Sequence, residues 1–280
     1  MEQGATEGLA RLTPLCDSHD PAHVVRRWRA VARRAGMRVS EFGQTAAGPV
    51  LVLESRGVDG PWLYLSAGVH GDEAAAVAGL LGWAEQHPDF FREHAVTVVP
   101  LFNPCGLAAN TRVDGEGRDL NRCFHLAGDP LVLAWRELVV VRRYAAAVCL
   151  HEDYDAAGCY CYELNRDVRL RLADRLLGAV EPWLPRDGRR TIDGRRAHRG
   201  VIQRRRVPPL PGQPEAVALY EGGVPVTLTF ETPSEAAFEQ RVLAQAAFVN
   251  GLAEWFRGVG RVEESGTGGG VRWTERVGGA

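Results

Sequence analysis

The order of hydrophobic and polar residues along the chain predicts an alternation of helices and strands. Over residues 21–36 the apolar side chains recur every three or four positions, the spacing of an amphipathic helix. Three runs of strand-forming residues follow at 37–42, 50–55 and 61–69, and the last is almost wholly apolar. Such a run is typical of a strand in the centre of an α/β sheet, where both faces are buried.

The same pattern continues to residue 256. It predicts further helices at 73–86, 130–144, 168–180 and 234–256, and further strands at 95–102, 145–150 and 224–230. Strands that alternate with helices indicate a single α/β domain over residues 1–257, with a mixed, mostly parallel sheet flanked by helices. The Gly-rich tail at 258–280 has too little apolar surface to form a core and is predicted to be flexible.

Composition narrows the class of protein. The chain has 280 residues, 45% hydrophobic and 24% charged, which excludes a collagen-like, disordered or disulfide-scaffold protein. Every basic residue is Arg, so Schiff-base and P-loop chemistry, which need a lysine amine, are excluded. The net charge of −2 gives no reason to expect a nucleic-acid partner. The sequence shows no membrane-spanning run, no signal peptide and no CxxC pair. We therefore expect a cytoplasmic protein with reduced thiols.

One segment departs from this even balance of charge. Residues 186–206 contain nine Arg and two Asp with no aromatic residue among them, unlike a surface on which nucleic-acid bases stack. We expect a solvated loop or an electropositive rim around a site. If these arginines line a substrate entrance, acidic substrates would be preferred.

The first candidate for chemistry is the run SAGVHGDEAAA, where a buried strand gives way to a helix. Ligands of open α/β sheets gather at the carboxyl ends of strands. His70 and Glu73 are spaced so that imidazole and carboxylate can reach one metal ion. Taken alone, such a pair is common by chance and more often marks a helix that begins with a Glu near its positive end.

A long Gly-containing loop follows the second buried strand and carries Arg112, Asp119, Asn121 and Arg122. Arg offers a bidentate fork for a carboxylate, and Asn offers a neutral donor. For any one of these residues, an ordinary surface loop explains the sequence as well.

Two later strands each end in a side chain suited to metal binding or to proton transfer. His151 follows the run AAAVCL and is placed to supply a third metal ligand, unless it is a satisfied core histidine. Glu231 follows VPVTLTF and is a candidate general base whose pKa partial burial would raise, unless it serves the following helix as an N-terminal acid.

Taken together, the motifs resemble one known family. An H-x-x-E pair after a strand, then N-P-x-G, an Arg and D-L-N-R-x-F, then a strand-final His and a strand-final Glu, occur here in that order between residues 70 and 231. This combination is similar to the M14-like zinc metallocarboxypeptidases, which include the murein peptide amidases and are related to succinylglutamate desuccinylase and aspartoacylase.

The resemblance implies a zinc-dependent hydrolase with a carboxypeptidase-like fold. It implies one zinc ion per chain, held by His70, Glu73 and His151, with a free coordination position for water. It makes Glu231 the general base and later the acid, and Arg112 the residue that stabilises the oxyanion.

The remaining implied roles concern the substrate. The resemblance assigns the grip on a terminal carboxylate to Asn121 and Arg122, and a hydrogen bond to His70 to Asp119. The family's mobile tyrosine has its nearest counterpart in Tyr220, which lies closer to the catalytic Glu than in the digestive enzymes; a half-buried strand residue is the alternative. Cys123 replaces the Asn common in DLNRNF.

Three functions remain open at this point. A metallocarboxypeptidase acting on a peptide with a free carboxylate is preferred, and a murein peptide amidase or an N-acyl amino acid deacylase is the alternative. The deacylases typically carry a further β domain after the catalytic Glu, whereas one predicted helix and the Gly-rich tail follow Glu231 here. A degenerate binding protein is disfavoured because no ligand or base is missing. The sequence leaves the oligomeric state open.

Overall fold

An eight-stranded mixed sheet forms the centre of the structure, a computed structural model that describes residues 18–259. The strands are β1 (Arg38–Thr45), β2 (Gly48–Glu54), β3 (Trp62–Ala67), β4 (Val96–Val99), β5 (Tyr144–Asp153), β6 (Tyr160–Asn165), β9 (Val201–Arg204) and β10 (Val226–Pro233), and a separate small hairpin pairs β7 (Thr191–Ile192) with β8 (Arg195–Arg196). The sheet order is β1-β2-β4-β3-β5-β10-β6-β9.

Helices cover both faces of this sheet. They are α1 (Pro21–Ala35), α2 (Ala74–Gln86), α3 (Pro88–Glu93), α4 (Pro104–Ala109), α5 (Pro130–Val140), α6 (Leu172–Val180), α7 (Glu215–Glu221) and α8 (Phe238–Gly258). The predicted fold class is therefore confirmed: one mixed sheet, parallel through β4, β3, β5 and β10, lies between helices.

The register of the central strands decides where their last side chains lie. In the parallel pair of β5 and β10, Glu231 stands opposite His151. Side chains alternate between the two faces of a strand, and partners in register leave the sheet on the same side. His151 and Glu231 therefore share one face, and Glu152 and Thr232 share the other.

Two hydrophobic clusters follow from this alternation. On one face Val148, Leu228 and Phe230 pack with α2 and α8, where the Phe230 and Phe248 rings stack with centroids 4.0 Å apart. On the opposite face Ala147 and Cys149 pack with residues of α5 and α7. We refer to the first as the α2/α8 face and to the second as the site face.

Some predicted boundaries differ from the structure for identifiable reasons. The helix predicted over 130–144 ends at Val140, because Tyr144 already pairs with Trp62 as the first residue of β5. The strand predicted over 95–102 is limited to β4, since Pro100 has no N–H to donate to a ladder. The short elements β6, β9 and α7 were not predicted.

The predicted tail lies, from residue 260 onward, outside the described residues, as do residues 1–17. Five cysteines of the described part, Cys105, Cys123, Cys149, Cys159 and Cys161, are free thiols. Within residues 18–259, none of the helices combines the length and the apolar character that crossing a membrane requires.

Candidate metal centre

His70 and Glu73 lie in the turn between β3 and α2. Gly68 opens this turn with φ +66°, a conformation that glycine adopts without strain, and its carbonyl accepts a hydrogen bond from the backbone of Asn103. Glu73 is the N-cap residue of α2, yet its side chain caps no helix N–H. Instead its carboxylate faces the histidines: the His70 Nδ1 to Glu73 Oε1 distance is 2.5 Å.

His151 reaches the same carboxylate from the end of β5. Its Nδ1 lies 2.8 Å from Glu73 Oε2, and the two imidazole rings have centroids 5.0 Å apart. All three residues are buried, with 2–4% of their surface exposed. One ligand atom from each lies within 4.8 Å of the others, so the three predicted ligands form one cluster.

The donor set suits a divalent metal ion. Imidazole nitrogens bind zinc at about 2.0–2.1 Å, so tetrahedral ligand atoms stand roughly 3.3 Å apart. The observed contacts of 2.5 and 2.8 Å are shorter than this and need only a small opening of the side chains. Both imidazoles turn the same nitrogen, Nδ1, toward the common carboxylate, so His70, Glu73 and His151 fit zinc in type and in arrangement.

Asp119 and Arg112 extend the cluster toward solvent. Asp119 Oδ1 lies 3.1 Å from His70 Nε2, the nitrogen that does not face Glu73. Arg112 donates from Nε to Asp119 Oδ2 at 3.1 Å, and its guanidinium lies 3.8 Å from Glu73 Oε1. The hydrogen bond predicted between Asp119 and His70 is thus present, and Arg112, whose side chain is 43% exposed, stands at the mouth of the cluster.

Charge balance inside the cluster explains the direction of its pKa shifts. Burial raises the pKa of Glu73, but the adjacent His151 and His70 outweigh burial and lower that pKa to about 2. Burial lowers the pKa of each histidine, and the Glu73 carboxylate reverses this and raises it. The hydrogen bond and charge of His70 hold the pKa of Asp119 well below its usual range despite partial burial.

Glu231 lies beside the cluster without being tied to it. It is 9% exposed, and among residues 18–259 its carboxylate makes no hydrogen bond or ion pair. Burial raises its pKa well above the usual value, the charge of His151 opposes that rise, and the charge of Glu73 adds to it. An uncommitted carboxylate facing a His–Glu–His cluster is available to exchange a proton with a water molecule or substrate.

Asn121 and Arg122 follow Asp119 closely in the chain, and Asp119 contacts His70 of the cluster. Asn121 Oδ1 accepts a hydrogen bond of 2.9 Å from the backbone N–H of Glu215, at the start of α7. Because that backbone group can only donate, it fixes which end of the Asn121 amide faces it and leaves Nδ2 as the free end. Arg122 donates from its guanidinium to the carbonyl of Asn121 at 2.9 Å, and its charge helps to lower the pKa of Asp119.

Tyr220 is not brought to the cluster. It lies in α7, not in a strand, and packs with Leu164 and Val217. Its hydroxyl donates to the carbonyl of Arg205 at 2.7 Å. Both the mobile-tyrosine role and the strand alternative are therefore unsupported, because the seven residues of α7 hold this ring against a different part of the site face.

Two tyrosines of β6 take the place beside Glu231 instead. Tyr160 stands opposite Glu231 in the antiparallel pair of β6 and β10, and its hydroxyl bonds Asp153 at 3.0 Å. Tyr162 bonds Asp193 in the turn of the β7–β8 hairpin. The alternating aromatic residues of this segment are the signal that would have predicted a strand here.

The arginine-rich segment is only partly a solvated loop. Arg186 is largely buried and paired with Asp174, and Arg189 forks onto Asp187. Arg190 and Arg196 line a groove of about 830 Å³ beside the outer strand β9. The prediction that these arginines form an entrance rim to the site stays a prediction.

Sequence reasoning also missed a buried carboxyl group on the site face. Glu215 is 1% exposed and accepts hydrogen bonds from the hydroxyls of Tyr64, at 2.5 Å, and Ser66, at 2.9 Å. Burial raises its pKa. Nothing in the surrounding PGQPEAV sequence marks this Glu as buried.

Comparison with solved structures identifies the fold. A metallopeptidase-like protein from Shewanella baltica OS155 superposes with a TM-score of 0.77 at 24% identity, over 85% of this chain and 92% of the other. One from Shewanella amazonensis SB2B gives a TM-score of 0.75 at 26% identity, over 84% and 92%. The murein-tripeptide amidase MpaA of Escherichia coli O157 gives 0.53 at 20% identity, over 78% and 92%. The fold is that of the zinc carboxypeptidase-like proteins.

One family model matches part of the chain. Residues 59–142 match the succinylglutamate desuccinylase/aspartoacylase catalytic domain. The matched segment contains His70, Glu73, Arg112 and Asp119 and ends before His151. A comparison with curated proteins gave no significant match. The predicted resemblance to the metallocarboxypeptidase-like proteins and to their desuccinylase and aspartoacylase relatives is confirmed, and these likenesses support a hydrolase.

Proposed function

We propose that this protein is a zinc-dependent hydrolase that cleaves the amide bond next to a residue with a free carboxylate, as a carboxypeptidase does. The observation that carries the proposal is the uncommitted Glu231 carboxylate on the same face as the buried His70, Glu73 and His151 cluster. A largely buried carboxylate without a partner among the described residues, beside a His–Glu–His cluster, is typical of a group that transfers protons.

His70, Glu73 and His151 would hold the zinc ion. Zinc with three protein ligands supplies Lewis acidity, which activates water at neutral pH and polarises a carbonyl group. Asp119 holds the His70 ring through Nε2, so that Nδ1 stays directed at the metal position.

Glu231 carries the proton in this proposal. It accepts a proton from the attacking water as the new C–O bond forms, and it then delivers that proton to the leaving amine as the amide C–N bond breaks. Its raised pKa suits both steps, because a carboxyl group of ordinary acidity is a weak base toward water. Arg112, the exposed cation at the mouth of the cluster, stabilises the negative charge that develops on the carbonyl oxygen.

The free end of Asn121 and the guanidinium of Arg122 would bind the substrate's carboxylate. The Asn121 amide presents a donor because its oxygen is held by Glu215. Two donors of this kind, one neutral and one charged, select a substrate with a free carboxylate on the amine side of the scissile bond.

A second candidate has its own support. The family match over residues 59–142 is to a catalytic domain named for enzymes that remove an acyl group from an amino acid. An N-acyl amino acid and a peptide both present an amide bond beside a carboxylate, so the same residues serve either substrate. The two candidates differ only in what lies on the acyl side of the bond.

One experiment tests the proposal and separates the candidates. The protein, stripped with a chelator and reloaded with zinc, is incubated with peptides and with N-acyl amino acids, each with a free or an amidated carboxylate. Mass spectrometry then identifies the products. Loss of one residue from free-acid peptides supports a carboxypeptidase, and release of amino acids from N-acyl substrates alone supports a deacylase.

The controls are the chelated protein and the amidated substrates, neither of which should react. Cleavage that is indifferent to amidation would contradict the carboxylate clamp. Zinc bound without cleavage of any member of either set would contradict the proposed function.

A further inference from the structure

Glu73 begins helix α2 but does not cap it. A helix leaves its first backbone N–H groups without partners inside the helix, and an N-cap acid usually accepts from one of them. Here the carboxylate of Glu73 is turned away, toward His70 and His151. The first backbone N–H groups of α2 lie among buried residues and therefore need another acceptor.

Glu152 supplies that acceptor from a different strand. Its Oε1 accepts a hydrogen bond of 2.7 Å from the backbone N–H of Ala75, in the first turn of α2. Glu152 follows His151 directly, so its side chain leaves β5 on the α2/α8 face while His151 points to the site face. The Glu152 carboxylate thus connects the end of β5, next to the predicted ligand His151, with the first turn of α2, next to the predicted ligand Glu73.

Helix α8 completes this connection. Arg241 pairs with Glu152 Oε2, and the side chain of Glu152 is fully buried. One turn further, Gln245 donates from Nε2 to the carbonyl of His151 at 2.7 Å and to Thr232 Oγ1 at 3.0 Å. Thr232 follows Glu231, so α8 holds the ends of both strands that carry the candidate catalytic groups.

Close helix contact makes the arrangement rigid. A Cβ placed on Gly79 of α2 would lie 2.4 Å from the Cβ of Gln245, so the two helices touch at this point. The polar contacts around Glu152 therefore sit in a packed interface with little room to adjust.

We infer that Glu152 is a positioning residue for the metal site: by capping α2 in place of Glu73, it leaves the Glu73 carboxylate free for the metal and fixes its distance from His151. The inference rests on the proposed function only through the metal site, because it makes no statement about the substrate. Arg241 supports Glu152 by balancing its buried charge.

The test is the zinc affinity of Glu152→Gln, measured by competition with a chromogenic chelator. The Gln side chain has one acceptor oxygen, and its NH₂ end can only donate. It therefore cannot replace both carboxylate oxygens of Glu152, and either Ala75 or Arg241 loses its partner. Loss of groups that orient metal ligands typically lowers metal affinity about 10–100-fold, and we expect a loss in that range. A cobalt(II)-loaded sample adds a spectroscopic readout, because its visible absorption changes with ligand geometry.

The chain offers a matched control in Glu163→Gln. Glu163 is fully buried and accepts from the backbone N–H of Ala173 at 3.1 Å, so it caps α6 as Glu152 caps α2. It lies on β6, away from the three predicted ligands. We expect Glu163→Gln to lower the melting temperature. Its zinc affinity should stay within about threefold of that of the unaltered protein, a margin that allows for the scatter of repeated measurements.

The outcomes separate the two proposals. A selective loss of affinity in Glu152→Gln supports the positioning role, even if no substrate is ever cleaved. Equal affinities in all three proteins, or equal losses in both variants, overturn it, as does failure of the unaltered protein to bind zinc. If Glu152→Gln does not fold, Arg241→Gln replaces it; a loss of roughly 3–10-fold supports the inference and an unchanged affinity overturns it.

Discussion

Glu231 and His151 are register partners in neighbouring parallel strands, so their side chains leave the sheet side by side. This relationship predicts that Glu231→Gln separates catalysis from metal binding. The amide keeps the size of the side chain but cannot take a proton, so we expect turnover to fall at least 10²–10⁴-fold, the usual contribution of a general base.

Metal content distinguishes this from simple damage to the site. Elemental analysis should find the same zinc stoichiometry in Glu231→Gln as in the unaltered protein. Glu254→Gln on α8, where the exposed carboxylate accepts a hydrogen bond of 2.9 Å from the Asn250 side chain, is the matched control and should keep full activity. Near-normal turnover in Glu231→Gln would mean that another group is the base.

Arg112 is predicted to act on the reacting carbonyl and not on the fold. Its guanidinium is 43% exposed, and its partners are Asp119 and Glu73. We expect Arg112→Gln to lower kcat/KM by about 10²–10³, as the loss of an oxyanion donor does. Steady-state kinetics measures this, and Arg29→Gln, which removes an exposed pair with Glu41, should have no effect. A loss of bound zinc in Arg112→Gln would instead indicate that Arg112 mainly maintains Asp119.

Gly71 is predicted to be irreplaceable between His70 and Glu73. A Cβ at Gly71 would lie 1.8 Å from the backbone carbon of Gly106, a distance that no small adjustment relieves. Gly71→Ala should therefore lower stability by about 1–3 kcal/mol or more and reduce zinc affinity, because the turn that carries His70 must move. Thermal unfolding with and without zinc measures both effects.

Gly128→Ala is the control for this substitution. Gly128 is exposed and a Cβ there meets nothing within 4 Å. The two variants should differ clearly in melting temperature. Equal melting temperatures would show that the chain around Gly106 yields more easily than the structure indicates.

Asp129 is predicted to make stability depend on acid pH. It caps α5 through the N–H groups of Leu131 and Val132 and pairs with Arg118 at 2.6 Å. Burial raises its pKa, but these donors and the Arg118 charge outweigh burial and lower it. A carboxylate with a lowered folded-state pKa stabilises the fold above its unfolded pKa, near 4, and that stabilisation is lost as pH falls through the folded value.

Asp129→Asn isolates this effect, because Asn caps helices as well as Asp but carries no charge. We expect the variant to melt below the unaltered protein at pH 7 and the gap to narrow as pH falls below about 4. Melting curves between pH 7 and 3 check this. A gap that stays constant over the range would assign the stabilisation to packing.

The fold class could be predicted from the sequence because it rests on local patterns of apolar and polar residues. Long apolar runs marked the central strands, and polar residues at their carboxyl ends marked His70, His151 and Glu231. For the chemical cluster these patterns left an alternative open for each residue, and the family resemblance joined His70, Glu73 and His151 into one ligand set.

The missed features depend on contacts between distant segments. Tyr220 resembles a strand residue locally, but α7 holds it by packing against Leu164, more than fifty positions away. Glu215 and Glu152 look like surface acids, and only the tertiary fold buries them beneath hydroxyl and N–H donors. Short strands such as β9 lack the length for a periodic pattern to emerge.

The placement of Glu152, Arg241 and Gln245 on the α2/α8 face has a practical consequence. In the proposed function, substrate would approach from the opposite side of the sheet, past Arg112, and would not meet these three side chains. Protein engineers could therefore retune which metal the site prefers, or how tightly it holds one, by substitutions behind the sheet that leave the substrate-facing wall as it is.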